Sequence, residues 1–138
     1  VTLTHGSLFS GIGGLDLGFE RAGIETIWQV EIEPYARRVL EKHWPKVRRH
    51  DDIRTFPPDG SWPTPDIISG GFPCQDLSVA GKGAGIHAGR SGLWWEMLRV
   101  IRLMGPRIVL VENVPGLLSG EGGGMGANVF RVAGPERV

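Results

Sequence analysis

The chain has 138 residues, 41% hydrophobic and 22% charged, with 15 basic residues balanced by 15 acidic ones. These values are ordinary for one globular domain with a real core. They give no bulk positive charge to announce a nucleic-acid partner, though a local basic patch stays open. One cysteine cannot close an internal disulfide, no apolar run approaches bilayer length, and "VTLTHGSLFSG" lacks the basic and apolar regions of a secretory signal.

In chain order, "TLTHGSLFSG" reads as a strand entering a glycine turn, and "IGGLDLGFERAG" as a helix. That helix carries an apolar stripe of Ile12, Leu15, Phe19 and Ala22, and Gly23 is a natural stop. "ETIWQVE" is a strand rich in β-branched and aromatic residues. Pro34 suits the first turn of a helix through "YARRVLEKHW". "KVRRHDDI" holds a short edge strand, and the prolines of "RTFPPDGSWPTP" make it a loop. "DIISGG" is a strand. "GLWWEMLRVIRLM" is a helix with Leu93, Met97, Val100, Ile101 and Met104 on one side. "RIVLVEN" is apolar enough to be a strand buried on both faces. The final "SGEGGGMGANVFRVAGPERV" contains no convincing element and has the composition of a flexible loop.

Strands alternating with helices predict an α/β fold, a parallel sheet with helices on both faces. The site is then expected at the carboxyl ends of the strands. Phe9 to Gly14, Glu31, Asp52–Ile53, Pro73–Cys74 and Glu112–Asn113 all fall on that edge. "FSGIGG" lets the backbone turn sharply and a ligand approach a helix N-terminus. Glu31 follows Gly11 by 20 residues, where an acid accepts hydrogen bonds from ribose hydroxyls. The bland alternative is a tight turn that needs glycine for its own sake. Strand, helix and spaced acid together favour a nucleoside-containing cofactor, and no lysine-threonine pair points to ATP hydrolysis.

A lone cysteine is often a buried, inert hydrophobe. Here Pro73 stiffens the approach to Cys74, and the glycines and polar residues that follow suggest a loop at the sheet edge. A thiol so placed can be reached and ionised. Glu112, at the end of the next apolar strand, is expected to be a partly desolvated partner acid; its alternative is a structural acceptor for a nearby loop. The four histidines show no ligand spacing and there is no second cysteine, so no metal is expected. No "GxSxG" elbow supports a serine hydrolase.

These residues resemble the cytosine-5 DNA methyltransferase family of bacterial or phage type. "LFSGIGGLDLGFERAG" is similar to its cofactor motif, "VEIEPYARRVL" to the second motif and "DDI" to the third. "GGFPCQDLSVAGKG" is similar to the catalytic motif, "GRSGLWWEMLRVI" to the segment after it and "VLVENVPGLL" to the Glu-Asn-Val motif. The resemblance covers nearly all of residues 3–119 and implies a Rossmann-like S-adenosylmethionine-dependent methyltransferase fold, here without its C-terminal strands. It implies that Phe9, Ser10, Gly11, Gly13 and Gly14 line the S-adenosylmethionine pocket. Glu31 would hold the ribose, Ile32 would pack on adenine where the family often has an aromatic, and Asp52 would accept from the adenine amino group beside Ile53. Pro73 and Leu93 would touch the cofactor. Cys74 would be the nucleophile, with Gln75 next to it, and Glu112 would hold the cytosine at N3. Asn113 would fix the active-site loop. Ser78, Lys82 and Arg90 would face DNA phosphates or the flipped base, Arg90 also serving the catalytic site.

The resemblance also implies the chemistry. A thiolate adding to carbon 6 of cytosine makes carbon 5 nucleophilic enough to take a methyl group, an acid at N3 stabilises the ring, and the base must leave the duplex to be reached. Double-stranded DNA is the implied partner, with no metal and no membrane, in a cytoplasmic setting. The family continues with a Gln-Arg-Arg-type motif, more strands, a target-recognition region and a returning helix, none of which resembles "MGANVFRVAGPERV". The chain thus reads as a partial catalytic domain over 1–119 with a glycine-rich tail over 120–138: a subunit of a split enzyme whose missing motifs come from a second polypeptide, a truncated gene product, or a fragment. Two other readings stay open: a catalytically silent cofactor- or partner-binding module, and the tRNA-methylating branch.

Overall fold

The computed structural model describes residues 1–72 and 92–112, and the backbone of 128–130. Along the chain run β1 (Thr4–Leu8), α1 (Gly14–Arg21), β2 (Glu25–Val30), α2 (Pro34–His43), β3 (Arg48–His50) and a short 3₁₀ turn (Ile53–Thr55). β4 (Ile67–Gly70), α3 (Gly92–Met104), β5 (Ile108–Val111) and β6 (Asn128–Phe130) follow. The sheet order is β3-β2-β1-β4-β5-β6. β1 through β5 are parallel and β6 is antiparallel to β5. Chain progression runs outward from β1 in one direction through β2 and β3, and in the other through β4 and β5. Such a reversal opens a crevice beyond the carboxyl ends of the strands.

The two sheet faces differ in chemistry. Leu8, Trp28, Val30, Ile68, Val109 and Val111 are buried in one apolar cluster with Met97, Val100, Ile101 and Met104 of α3. Each such side chain is worth about 1.5–3 kcal/mol when fully buried. The four from α3 therefore hold that helix firmly and fix Gly92 and Leu93 at its start.

The opposite face is polar. His5 bonds Thr26 at 2.9 Å and Ser69 at 2.7 Å, and its ring lies 4.2 Å from that of Phe19. Asp16 accepts from Ser7 Oγ at 2.9 Å and from Gln29 Nε2 at 2.8 Å. Arg49 extends the chain, donating to Gln29 Oε1 at 3.0 Å and to the Trp44 carbonyl at 2.8 Å. Buried polar groups satisfied in this way rigidify a packing that apolar contacts alone would leave looser.

Three expectations are corrected. Of the expected apolar stripe of α1 only Phe19 packs on the sheet, against His5: Ile12 is 61% exposed, and Leu15 and Ala22 are exposed too. Asp16 docks the helix beside it, fully buried and hydrogen-bonded to two neighbouring elements. β5 is not buried on both faces. Val109 and Val111 are buried, whereas Ile108 is 38% exposed, because α3 covers only one of its sides. Finally, the glycine-rich tail does hold an element, since Val129 pairs with Leu110 and Asn128 with Val111. Three residues are too few to show a strand period in sequence; the open edge of β5 supplies the pairing.

Candidate functional site

The turn after β1 is built from backbone geometry that favours glycine. Gly11 and Gly13 have φ of 57° and 89°, and Phe9 sits at 51°, uncommon for a bulky residue. Strain of this kind persists where the surroundings over-determine it, often at functional sites. Ser10 pins the turn to β2: its amide donates to the Val30 carbonyl at 3.1 Å and its hydroxyl to the Ser7 carbonyl at 3.1 Å. The Gly11 amide then points at Glu31, donating to Oε2 at 2.6 Å. The Glu33 amide donates to Oε1 at 2.8 Å. Gly13 has a packing reason of its own, because a Cβ there would overlap the ring of Trp44. Gly14 begins α1 and is exposed.

After β3, Asp52 caps the 3₁₀ turn, its Oδ1 accepting from the Arg54 amide at 3.0 Å. The Arg54 side chain adds a fork to the same carboxylate, Nε to Oδ1 at 2.9 Å and Nη2 to Oδ2 at 2.7 Å. These bonds hold the Asp52 carboxyl below the usual carboxylate range and raise the Arg54 guanidinium. Ile53 is buried, and its carbonyl accepts from Arg99 Nη2 of α3 at 2.7 Å. That bond clamps the turn to the helix.

These strand ends enclose a cavity of about 540 Å³, within the span of roughly 300–1,000 Å³ typical of small-molecule sites. Phe9, Glu31, Ile32, Asp52, Ile53 and Leu93, each named above as a candidate, line it. Val30, Asp51, Arg54, Gly71, Gly92 and Glu96 line it as well and escape the sequence reading. Arg54 had one local signal: it follows a capping aspartate by two residues, within reach for an ion pair. Ser10, Gly13 and Gly14 shape the turn without forming the wall.

Glu112 lies just after β5, its amide donating to the Gly70 carbonyl at 3.0 Å. Its Oε2 stands 2.5 Å from where a Cβ on Gly71 would be, so the absent side chain at Gly71 leaves room for that carboxylate. The expected desolvation is not found, for Glu112 is exposed. It ends a strand covered on one side only. Across the sheet edge the order is therefore Asp52 after β3, Glu31 after β2, Phe9 after β1, Gly71 after β4 and Glu112 after β5. Pro73, Cys74, Gln75, Ser78, Lys82, Arg90 and Asn113 lie outside the described residues.

The model of the C-5 cytosine-specific DNA methylase family matches residues 3–132. The Type II methyltransferase M.NgoFVII of Neisseria gonorrhoeae is 43% identical over 114 residues, covering 82% of this chain and 30% of that protein. M2.BsuMI of Bacillus subtilis, also a Type II methyltransferase, is 42% identical over 116 residues, covering 81% and 29%. Among solved structures, a protein assigned as a DNA modification methyltransferase encoded within an E. coli prophage superposes with a TM-score of 0.68 at 28% identity, over 86% of this chain and 34% of that one. The chain spans about a third of the length of the curated relatives it matches.

Proposed function

We infer function from this premise: the chain belongs to the C-5 cytosine-specific DNA methylase family. We propose that it forms the cofactor-binding and nucleophile-bearing part of an enzyme that methylates carbon 5 of cytosine in double-stranded DNA, the remaining motifs coming from further polypeptide. The observation that carries the proposal is the order of groups along the sheet edge, with Asp52 and Glu31 at one end and Gly71 and Glu112 at the other. The order matches a nucleoside lying over β3 and β2 with its reactive end directed toward β4 and β5.

The residues fit S-adenosylmethionine. Glu31 is aimed by two backbone amides, and a carboxylate has about four acceptor directions, so two remain for the ribose hydroxyls. Phe9, Ile32, Ile53 and Leu93 give the purine apolar walls. Bound there, the cofactor supplies an electrophilic methyl group. Leu93 would touch it from the start of α3, and Pro73 from the segment after β4.

On the substrate side, the thiolate of Cys74 adds to carbon 6 of a flipped cytosine, forming the S–C6 bond. The displaced electron pair moves through carbon 5 toward N3, where the Glu112 carboxyl supports it. Carbon 5 would take the methyl group held at the cofactor site, the S–CH₃ bond breaking with its electron pair left on sulfur as a neutral thioether. Loss of the carbon-5 proton to a base then restores the double bond and expels the thiolate. Gln75 and Asn113 brace this site, and Ser78, Lys82 and Arg90 meet the DNA. Asp16 and His5, buried on the other sheet face, take no part.

The test uses duplex DNA bearing 5-fluorocytosine, which blocks that last proton loss and strands the adduct. The chain, completed with the C-terminal portion of a relative, should give a covalent protein–DNA complex that requires S-adenosylmethionine. Cys74→Ala should give none while still binding the cofactor. Methyl transfer persisting near the wild-type rate in Cys74→Ala would end the proposal.

A further inference from the structure

Three charged residues on the cavity wall, Asp51, Arg54 and Glu96, have no part in the reaction, and Arg54 is the one cation among the described lining residues. Arg54 lies on its wall, yet its guanidinium is spent on a neighbour two residues away. The contact is elaborate for so short a span. Oδ1 of Asp52 receives both the Arg54 amide and Nε. Oδ2 receives Nη2 at 2.7 Å, with Nε shared toward it at 3.1 Å. A carboxylate offers about four acceptor directions, and here three are filled by one residue. Among the described residues, the fourth, on Oδ2, is the one left for a ligand. A guanidinium fork also fixes the plane of the carboxylate, which a lysine could not do. The side chain of Arg54 is 62% exposed and that of Asp52 26%. A pair that open contributes little to stability, so stability is a weak account of it.

We propose that Arg54 is a specificity-determining positioning residue that reduces Asp52 to a single, fixed acceptor and so makes the pocket prefer a purine with a 6-amino group over one with a 6-oxo group. The proposal rests on the reading of this cavity as the nucleoside site. A 6-amino group donates one hydrogen to the free direction of Oδ2. A 6-oxo group presents an oxygen to an oxygen that has no proton to give. Without Arg54 the carboxylate can rotate away from the ligand, and the penalty on the 6-oxo ligand relaxes. Arg99 supports the arrangement from behind by holding the Ile53 carbonyl at 2.7 Å and Glu96 at 2.7 Å.

The experiment is calorimetric titration of the chain, completed as above with the C-terminal portion of a relative, with S-adenosyl-L-homocysteine and with its 6-oxo analogue, S-inosyl-L-homocysteine. Wild type should prefer the 6-amino ligand. Arg54→Ala should narrow that preference by about fivefold, the upper end of what an exposed ion pair contributes. Arg54→Lys should fall between the two, having charge without the fork. In an Asp52→Asn background, Arg54→Ala should leave the preference unchanged, because Arg54 acts through that carboxylate. An unaltered preference in Arg54→Ala, or an equal loss with and without Asp52, would overturn the assignment. Equal binding of both ligands by wild type would overturn it alone and leave the cofactor site standing. Binding of neither would bring down the cofactor reading and this inference together.

Discussion

The backbone amide of Gly11 donates to Oε2 of Glu31 at 2.6 Å, joining the turn after β1 to the end of β2. With the Glu33 amide on Oε1, the carboxylate is aimed entirely by main chain. Its orientation is set by the fold before any ligand arrives, so little ordering cost remains for binding.

Replacing Glu31 should therefore be costly in either of two ways. Glu31→Ala removes the acceptors for a ribose, with charge-assisted bonds worth roughly 1.5–3 kcal/mol each, and S-adenosylmethionine affinity should fall tenfold or more. Glu31→Gln should be no milder than a few-fold loss, because one of the two amides would then face an NH₂ group instead of an oxygen. Calorimetric titration of both variants checks this. Unchanged affinity in Glu31→Ala would make the carboxylate a brace for the turn and nothing more.

Gly11 and Gly13 separate by mechanism. Both have positive φ, but a Cβ at Gly11 meets nothing within 4 Å, while one at Gly13 would overlap Trp44 and sit 3.0 Å from Leu40. Gly11→Ala should cost about 1 kcal/mol from conformation alone. Gly13→Ala should cost more, about 2–4 kcal/mol, and adding Trp44→Ala should recover the excess. Urea unfolding of the four proteins measures it. Equal costs for the two alanines would show that Trp44 yields freely.

Much of this was legible in the sequence. The apolar period of α3 runs over the residues now found buried, Met97, Val100, Ile101 and Met104. Glu31 announces itself as an acid at a strand end after a glycine turn. What escaped was side-chain pairing, between separate elements for Asp16 and within one short turn for Arg54. Asp16 looks like a surface residue until Ser7 and Gln29, from two different strands, are seen to donate to it. The stripe of α1 was drawn from Ile12, although the helix starts only at Gly14 and is set by that buried carboxylate. Arg54 looks like a loop cation until its fork onto Asp52 is drawn.

The polar sheet face should make folding stability depend on pH. Burial lowers the pKa of His5 from 6.5 to about 4. Between those values the unfolded chain takes up a proton that the folded chain refuses, so stability is full above pH 6.5 and declines as pH falls toward 4. The loss attributable to His5 should approach about 3 kcal/mol. Asp16 acts with the opposite sign: burial raises its pKa above 3.8, so folding favours its protonated form and acid relieves some of the cost of burying it. Urea unfolding at pH 7.5 and pH 5 should show lower stability at pH 5 in wild type. His5→Gln, less stable at both, should lose most of that slope. A slope as steep in His5→Gln would place the titrating group elsewhere.

Gly71 offers a way to move Glu112 without changing it. The carboxylate Oε2 occupies the space that a Cβ would need, at 2.5 Å. The end of a glutamate side chain can swing aside at small cost, so Gly71→Ala should fold with a melting temperature close to wild type. The swing would carry the carboxylate away from its place beside the cavity wall, where the proposed reaction needs it at N3 of cytosine. A positioned acid contributes roughly a hundredfold or more to such a step, so kcat of the completed enzyme should fall at least about tenfold. Glu112→Gln should lower the rate similarly, and combining the two should add little, since both remove one group's action. Tritiated methyl incorporation into DNA gives the rates. A Gly71→Ala enzyme that folds normally and methylates at the wild-type rate would show that catalysis does not depend on Glu112 standing there.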